Sequence, residues 1–489
     1  MNSTLRKSTC LFPIIFSWIF TCAQGIAGVW NGTLHVQSND LPIVFHIGRD
    51  STGKLIASFD SPGQNAFGFP MREVIIKEDS VILMMAMQNG KYAGVLGQNK
   101  KTIDGTWFEG KAALPLTVIK TSDNATVKQQ RRPQMPRPPF PYQTKDVEYW
   151  NADKSIHYGA TLTWPMGKPA NTRKKGFPAV LLITGSGPQD RDETMGGHKP
   201  FAVIADNLTK RGFLVLRVDD RGMGKTTGDF SQATSLDFAK DVEAGLDFLE
   251  AQPEVNKENI GLLGHSEGGL IAPIVADERK EVKFIILLAG PGIPAIDLMQ
   301  QQWEAMKVSN GQTLAEARIA SAFLRIICEE VSKSPDTAAI FKNARARVDA
   351  WVKTLGDTTA SLAKIKNTTG ASPDEDIRKA ITLMNTKWTR YFSTFDPQPY
   401  LQKLQCKVLA LNGSRDILVI AAPNLAGIRA SLQKSHSPEY EVIELPGLNH
   451  LFQSCIRCSQ AEFSELEETI SPKALEIIDD WLLKNVQVR

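Results

Sequence analysis

The stretch Gly261-Leu-Leu-Gly-His-Ser-Glu-Gly-Gly-Leu-Ile-Ala-Pro273 sets Ser266 between glycines two residues away on each side. A serine becomes a nucleophile when a neighbouring base takes its proton, and the chain offers seven histidines. His265 is adjacent, but neighbouring side chains around so tight a turn point apart, so it reads as packing or support. His35 and His46 lie in an N-terminal region of short strands. His157 precedes the later sheet, His198 sits in an early loop, and His436 comes before the last strand, at the wrong edge. His450, in Leu445-Pro-Gly-Leu-Asn-His450, follows the final strand and remains as the base. A carboxylate must hold that imidazole in one tautomer, and Asp416, in Leu411-Asn-Gly-Ser-Arg-Asp416, follows the preceding strand.

Acyl transfer also needs two backbone donors for the oxyanion. One is expected from the amide of Glu267, which opens a helix. The other is expected from Thr184-Gly-Ser-Gly-Pro188, at Ser186 or, alternatively, Gly187. The Glu267 carboxylate suits a helix start; the functional alternative has it attract a substrate amine, as an aminopeptidase would require. Asp219-Asp-Arg-Gly-Met-Gly-Lys225 resembles a phosphate loop but lacks Walker spacing. It reads as a turn in which Asp220 and Arg221 brace neighbouring loops.

These residues need elements to place them. Ile260-Gly-Leu-Leu263 is an apolar strand directly before the serine, and Gly268 to Asp277 suits a helix directly after it, the context of a nucleophile elbow. Gly264 and Gly268 are expected where the sharp turn brings backbone segments together. Phe177 to Thr184, Phe213 to Val218, Phe284 to Leu288, Val408 to Leu411 and Tyr440 to Leu445 are near-continuous apolar runs separated by amphipathic segments such as Ser235 to Leu249. This pattern predicts a mostly parallel sheet with helices on both faces. Residues 295–392 break the rhythm with helical pattern alone and read as a helical cap inserted over the carboxyl edge of the sheet. Ser266, Asp416 and His450 then each leave the carboxyl end of a strand, in the chain order of the α/β-hydrolase fold.

Upstream, residues 24–125 alternate apolar and polar positions in short runs, as in Gly28-Val-Trp-Asn-Gly-Thr-Leu-His-Val36, and predict a small all-β domain, a barrel or sandwich. Gly28-Val-Trp30 and Gly105-Thr-Trp107 echo each other, as in a meander whose first and last strands meet and whose tryptophans plug one core. A ligand-binding barrel is the functional alternative. Residues 126–144 are rich in proline and read as a semi-rigid linker. The catalytic domain is expected over 145–294 and 393–489.

The 489 residues carry a formal charge of +3, of which Arg6 and Lys7 at the N-terminus supply two. Without a dense Lys/Arg stripe, a nucleic-acid partner is not expected. Residues 1–23 combine those basic residues with the apolar run Cys10 to Phe20 and small residues at the end, the pattern of a secretory signal cleaved before Gln24. Export to the periplasm or medium follows, with lipidation at Cys22 the less favoured alternative and no stable membrane span. Cleavage leaves Cys328, Cys406, Cys455 and Cys458. Cys455-Ile-Arg-Cys458 reads as a local bridge, a pair involving Cys328, or two free thiols. A zinc site is not expected, because a second close pair of ligands is missing.

Taken together, Leu182 to Glu193, Gly197-His-Lys-Pro200, Asp219 to Lys225, Gly264-His-Ser-Glu-Gly-Gly269, Leu287-Leu-Ala-Gly-Pro-Gly292 and Leu448-Asn-His-Leu-Phe-Gln453 resemble a bacterial family of α/β-hydrolase carboxylesterases with an N-terminal β domain. Related sequences are labelled S9 or S33 serine peptidases. The resemblance covers residues 145–300 and 395–489 well, the β domain loosely and the cap hardly at all. It implies a cofactor-free serine esterase acting on small-molecule esters of short to medium acyl chains, with Ser266 as nucleophile, Asp416 as acid and His450 as base. The chain departs from it where the more usual Lys-Asp is Arg415-Asp416, and it adds Cys458 near the His450 loop. The alternatives are an aminopeptidase or acylpeptidase of the same fold and, in another class, a ligand-binding protein with an inactive hydrolase body. Oligomeric state and natural substrate are not legible.

Overall fold

The computed structural model describes residues 25–36, 39–50, 52–62, 66–85, 90–109, 112–122, 131–167, 176–355 and 373–486. The signal expected over 1–23, Cys22 included, and the first residues of the expected linker lie outside the described residues. The chain divides into two units, 1–129 and 130–489.

In the first unit, strands β1 (Gly28–Val36), β2 (Asn39–Arg49), β3 (Leu55–Ser61), β4 (Ala66–Lys77), β5 (Ser80–Met85), β6 (Lys91–Leu96), β7 (Thr102–Glu109) and β8 (Ala112–Ser122) form a closed antiparallel barrel. β5 buries every second residue, as its alternating sequence dictates. Closure comes from β8 pairing with β1. The second tryptophan of the repeated motif lies one strand earlier, on β7, yet Trp30 and Trp107 do share one core. Phe45 and Tyr92 pack inside it at a tilt, with ring centroids 5.0 Å apart. The buried polar tips are satisfied locally: Trp30 Nε1 donates to the Ile26 carbonyl at 2.9 Å, and the Tyr92 hydroxyl reaches the carbonyls of Ile103 and Leu116 at 3.0 and 3.1 Å. Aromatic rings thus fill the barrel interior, and their polar tips are already paired.

The second unit is built on an eight-stranded sheet in the order β16-β15-β14-β13-β11-β12-β10-β9. Its strands are β9 (Tyr142–Trp150), β10 (His157–Pro165), β11 (Phe177–Ile183), β12 (Leu214–Val218), β13 (Val255–His265), β14 (Val282–Leu288), β15 (Lys407–Gly413) and β16 (Tyr440–Leu445). β11 to β16 pair in parallel, while β9 and β10 form an antiparallel hairpin whose second strand also runs against β12. Every residue of β11 is buried, which is why it reads as an unbroken apolar run.

The hairpin was not legible in the sequence, because β9 leaves most of its polar residues exposed at the sheet edge and β10 buries threonines as well as apolar residues. Proline-rich residues from 131 onward are also fastened rather than spanning freely. Arg132 donates to the carbonyls of Gly196, Ser464 and Leu466 at 2.9, 2.8 and 2.7 Å, and Gln134 bonds Thr469 and Ile470.

Helices α1 (Pro200–Lys210), α2 (Ser235–Glu250) and α3 (Glu267–Glu278) cross between the parallel strands. Between β14 and β15 the described residues form helices: α4 (Ala295–Ser309), α5 (Leu314–Val331), α6 (Thr337–Thr354) and further helices over Pro373–Met384 and Lys387–Phe392. This insertion has its own core, with Phe323, Ile327, Val331, Ile340, Val348, Ile377 and Ile381 buried together. α5 begins at a capping box in which Thr313 and Glu316 bond each other's backbone amides. Among the described residues no helix is long and apolar enough to cross a membrane.

Candidate active site

Ser266 follows the last residue of β13 and precedes the first residue of α3, at φ 53° and ψ −117°. Non-glycine residues rarely adopt such a conformation, and one persists where the surroundings hold it. Here the Ser266 amide donates to the Leu288 carbonyl of β14 at 2.8 Å, and its carbonyl accepts from the Gly269 amide at 2.9 Å. The turn is tight enough to demand glycine. A Cβ on Gly264 would lie 2.1 Å from the Gly268 oxygen, and one on Gly268 would lie 2.2 Å from the Ile183 oxygen.

The structure brings Asp416 and His450 together. Asp416 follows β15, and its Oδ1 accepts the amides of Leu418 and Val419 at 2.8 and 2.9 Å. That leaves Oδ2 for His450 Nδ1, 2.8 Å away, with both residues buried. A carboxylate fixed by two amides orients the imidazole, and Nδ1 donating to it leaves the Nε2 lone pair free to take a proton. His450 sits beside the elbow: its ring centroid is 4.7 Å from that of His265, the residue before Ser266.

The loop after β11 also reaches the serine, since a Cβ on Gly185 would lie 3.1 Å from Ser266 Cβ. It is fastened by half-buried Asp220, whose Oδ1 accepts the Thr184 hydroxyl at 2.7 Å and whose Oδ2 accepts the Gln189 amide at 2.9 Å. Burial holds the Asp220 carboxyl well above the usual carboxylate range, against the pull of those two bonds. Arg221 is committed to Asp241, at 2.6 Å from Nε. The Gly185 amide is itself taken by Glu193 Oε1 at 2.8 Å, which leaves the amides of Ser186 and Gly187 as the loop's candidates for oxyanion donor. Gly187 has φ +92° and open space around it. Glu267, as first residue of α3, presents an amide with no partner inside its own helix.

The Glu267 side chain is buried and points away from solvent. Its Oε1 accepts the Ser235 hydroxyl at 2.6 Å and Trp388 Nε1, from the inserted helices, at 2.8 Å. Burial raises its pKa, and the hydrogen bonds from Ser235, Trp388 and Ser186 only partly oppose that. Trp388 stacks on Phe392 at 4.5 Å, so the insertion sets an aromatic wall beside the elbow.

Sequence reasoning did not find Glu193, or the part His198 plays. His198 is buried with Nδ1 2.9 Å from Thr469 Oγ1 and Nε2 2.9 Å from the Phe463 carbonyl, and Gln453, three residues after His450, reaches it at 3.1 Å. Burial and the nearby Arg132 push its pKa down to about 4, so it serves as a neutral strut. Cys455 and Cys458 are joined as a local disulfide. Their sulfurs and a Glu462 oxygen lie within 4.8 Å of one another, but bonded sulfurs offer no thiolate to a metal.

A parallel sheet flanked by an antiparallel hairpin, with a strained serine after one strand and a buried acid–imidazole pair after the next two in chain order beyond the helical insertion, settles the architecture. The larger unit has the α/β-hydrolase fold. Within this hydrolase unit, residues 198–370 match the family model described as serine aminopeptidase, S33, a range that includes Ser266 and ends before Asp416. The chain is 32% identical over 126 residues to esterase EstD of Thermotoga maritima, covering 26% of this chain and 30% of the relative. It is 29% identical over 148 residues to the uncharacterized protein PA2218 of Pseudomonas aeruginosa, covering 30% and 38%. The chain thus spans well under half the length of these two curated relatives. Among solved structures, the Pyrococcus furiosus esterase Pf2001 aligns with 70% of this chain and 90% of its own at 15% identity and a TM-score of 0.39. The family-model and sequence matches agree with the resemblance read from the motifs of this unit.

Proposed function

We propose that the chain is a serine hydrolase of carboxylic esters, probed best with short to medium acyl groups. The observation that carries this reading is the buried Asp416–His450 pair, 2.8 Å apart, beside a serine held at φ 53°. Ser266 Oγ attacks the acyl carbon as its proton passes to His450 Nε2. The oxyanion is received by the amide of Glu267 and that of Ser186, or of Gly187. The C–O bond to the alcohol breaks, the alcohol takes the proton from His450, and water then repeats the sequence to release the acid.

The family model's description favours a second reading, an aminopeptidase. The Glu267 carboxyl counts against it. An ammonium group needs an ionised partner that it can reach, whereas Glu267 is buried with a raised pKa, its Oε1 taken by Ser235 and Trp388 and its unpartnered Oε2 enclosed as well. The barrel interior, filled by Trp30, Phe45, Tyr92 and Trp107, likewise weakens the reading of a ligand-binding module with a silent hydrolase.

The local disulfide supports an oxidising compartment, in keeping with the export pattern of residues 1–23. The test is release of nitrophenol from p-nitrophenyl esters, acetate to decanoate, beside release of nitroaniline from aminoacyl p-nitroanilides. Ester turnover by wild type and not by Ser266→Ala supports the proposal. Preferential anilide turnover would establish the peptidase instead.

A further inference from the structure

Glu193 and His265 take no part in the steps above, yet they tie together the two loops that those steps depend on. His265 Nε2 lies 3.0 Å from the backbone carbonyl oxygen of His450, and Nδ1 lies 2.9 Å from Glu193 Oε1. A carbonyl oxygen only accepts, so Nε2 carries a proton. Nδ1 then faces a carboxyl group, and the contact is a hydrogen bond only when a further proton lies between them. The pair therefore holds one proton more than a neutral imidazole beside an ionised carboxylate. The same Glu193 oxygen accepts the Gly185 amide at 2.8 Å, a role that suits an ionised carboxylate, with the extra proton on His265. Both residues are almost fully buried, at 1% and 4% exposure, and Glu193 is held at φ 53°.

We propose that Glu193 and His265 are positioning residues, a second acid–imidazole couple that holds the His450 loop through its backbone carbonyl and the oxyanion loop through the Gly185 amide, fixing base and oxyanion donors relative to Ser266. The inference rests on the roles proposed above for Ser266 and His450. The charged and titratable groups facing His265 are Glu193, Asp416 and His450. Burial disfavours its charge, but the Glu193 carboxylate, the bonds to Glu193 and His450, and the charge of Asp416 raise its pKa above the ordinary value. A raised value means that the coupling is complete below the unfolded pKa of about 6.5 and is lost as pH rises through the folded one.

The test compares wild type, Glu193→Ala and Glu193→Gln by kcat and KM on p-nitrophenyl butyrate from pH 5.5 to 9. Covalent labelling by a fluorophosphonate and thermal unfolding are followed over the same range. Glu193→Ala loses both loop contacts, so kcat and labelling rate fall at every pH, by about 10-fold to 100-fold, with KM little changed. Glu193→Gln keeps an acceptor for Gly185 but satisfies both ring nitrogens of His265 only while the imidazole is charged. Without the carboxylate, burial keeps that imidazole neutral across this range, so kcat relative to wild type is lowest, about one tenth, at pH 5.5 and rises toward one as pH passes the raised folded pKa at which wild type loses the same contact. A ratio that does not change with pH, or an alanine variant with wild-type kcat, overturns the inference. So does a loss of rate matched by loss of folded protein. Wild type that fails to label would instead overturn the proposed function itself.

Discussion

The barrel and the carboxyl edge of the hydrolase sheet are both fully packed, but they bury different things. The barrel core is made of Trp30, Phe45, Ile47, Leu83, Tyr92 and Trp107, and its polar tips bond to backbone within the same unit. The sheet edge buries Glu193, Asp219, His265, Glu267, Asp416 and His450. Buried charge is costly unless paired and hydrogen-bonded, and here each acid is fastened by amides, hydroxyls, an indole or an imidazole. The difference is the one the proposed chemistry needs: the first interior maximises apolar packing, whereas the second gives up some of that stabilisation to hold polar groups in fixed geometry.

Removing the serine hydroxyl is the harshest way to test that contrast. Ser266→Ala is expected to lower ester turnover by about five orders of magnitude, with near-wild-type melting, because the residue is the proposed nucleophile on a turn that glycines already hold. Asp416→Asn keeps the volume and one acceptor but allows the wrong His450 tautomer; kcat is expected to fall by about 10⁴-fold with folding unchanged. An unaffected rate in steady-state assays of either variant would move the chemistry away from this edge.

How much of this was legible depends on how local the signal is. Ser266 was readable because an elbow needs an apolar strand, two glycines at fixed offsets and a helix, all within about a dozen residues. Asp416 and His450 were readable because apolar runs mark the strands they leave. Glu193 was not, since it lies in an irregular loop and acts through His265, far along the chain, with no periodic pattern to betray it. The hairpin β9 and β10 was missed for a different reason: an edge strand is half exposed and carries Lys145 and Glu148 where a buried strand would carry valines.

The contrast sharpens in the barrel. Trp30→Ala empties the centre of its core and is expected to destabilise that unit by about 3–5 kcal/mol, with kcat on p-nitrophenyl butyrate close to wild type. Two separate transitions by differential scanning calorimetry, only the first of them moved, would support independent cores; a parallel loss of activity would show that the barrel helps to build the site.

The gentlest substitution tests what the buried acids of the sheet edge cost. Glu267 has a raised pKa because burial outweighs its hydrogen bonds, so the folded protein binds its proton more tightly than the unfolded chain does. Stability from that group is therefore present below the unfolded carboxyl range and declines as pH rises through the raised value. Glu267→Gln keeps an oxygen for Ser235 and Trp388 and removes the titration. It is expected to melt above wild type at pH 8 and level with it near pH 4. If wild type is the more stable at pH 8, the ionised carboxylate is itself stabilising, and the case against an amine-binding role for Glu267 falls with it.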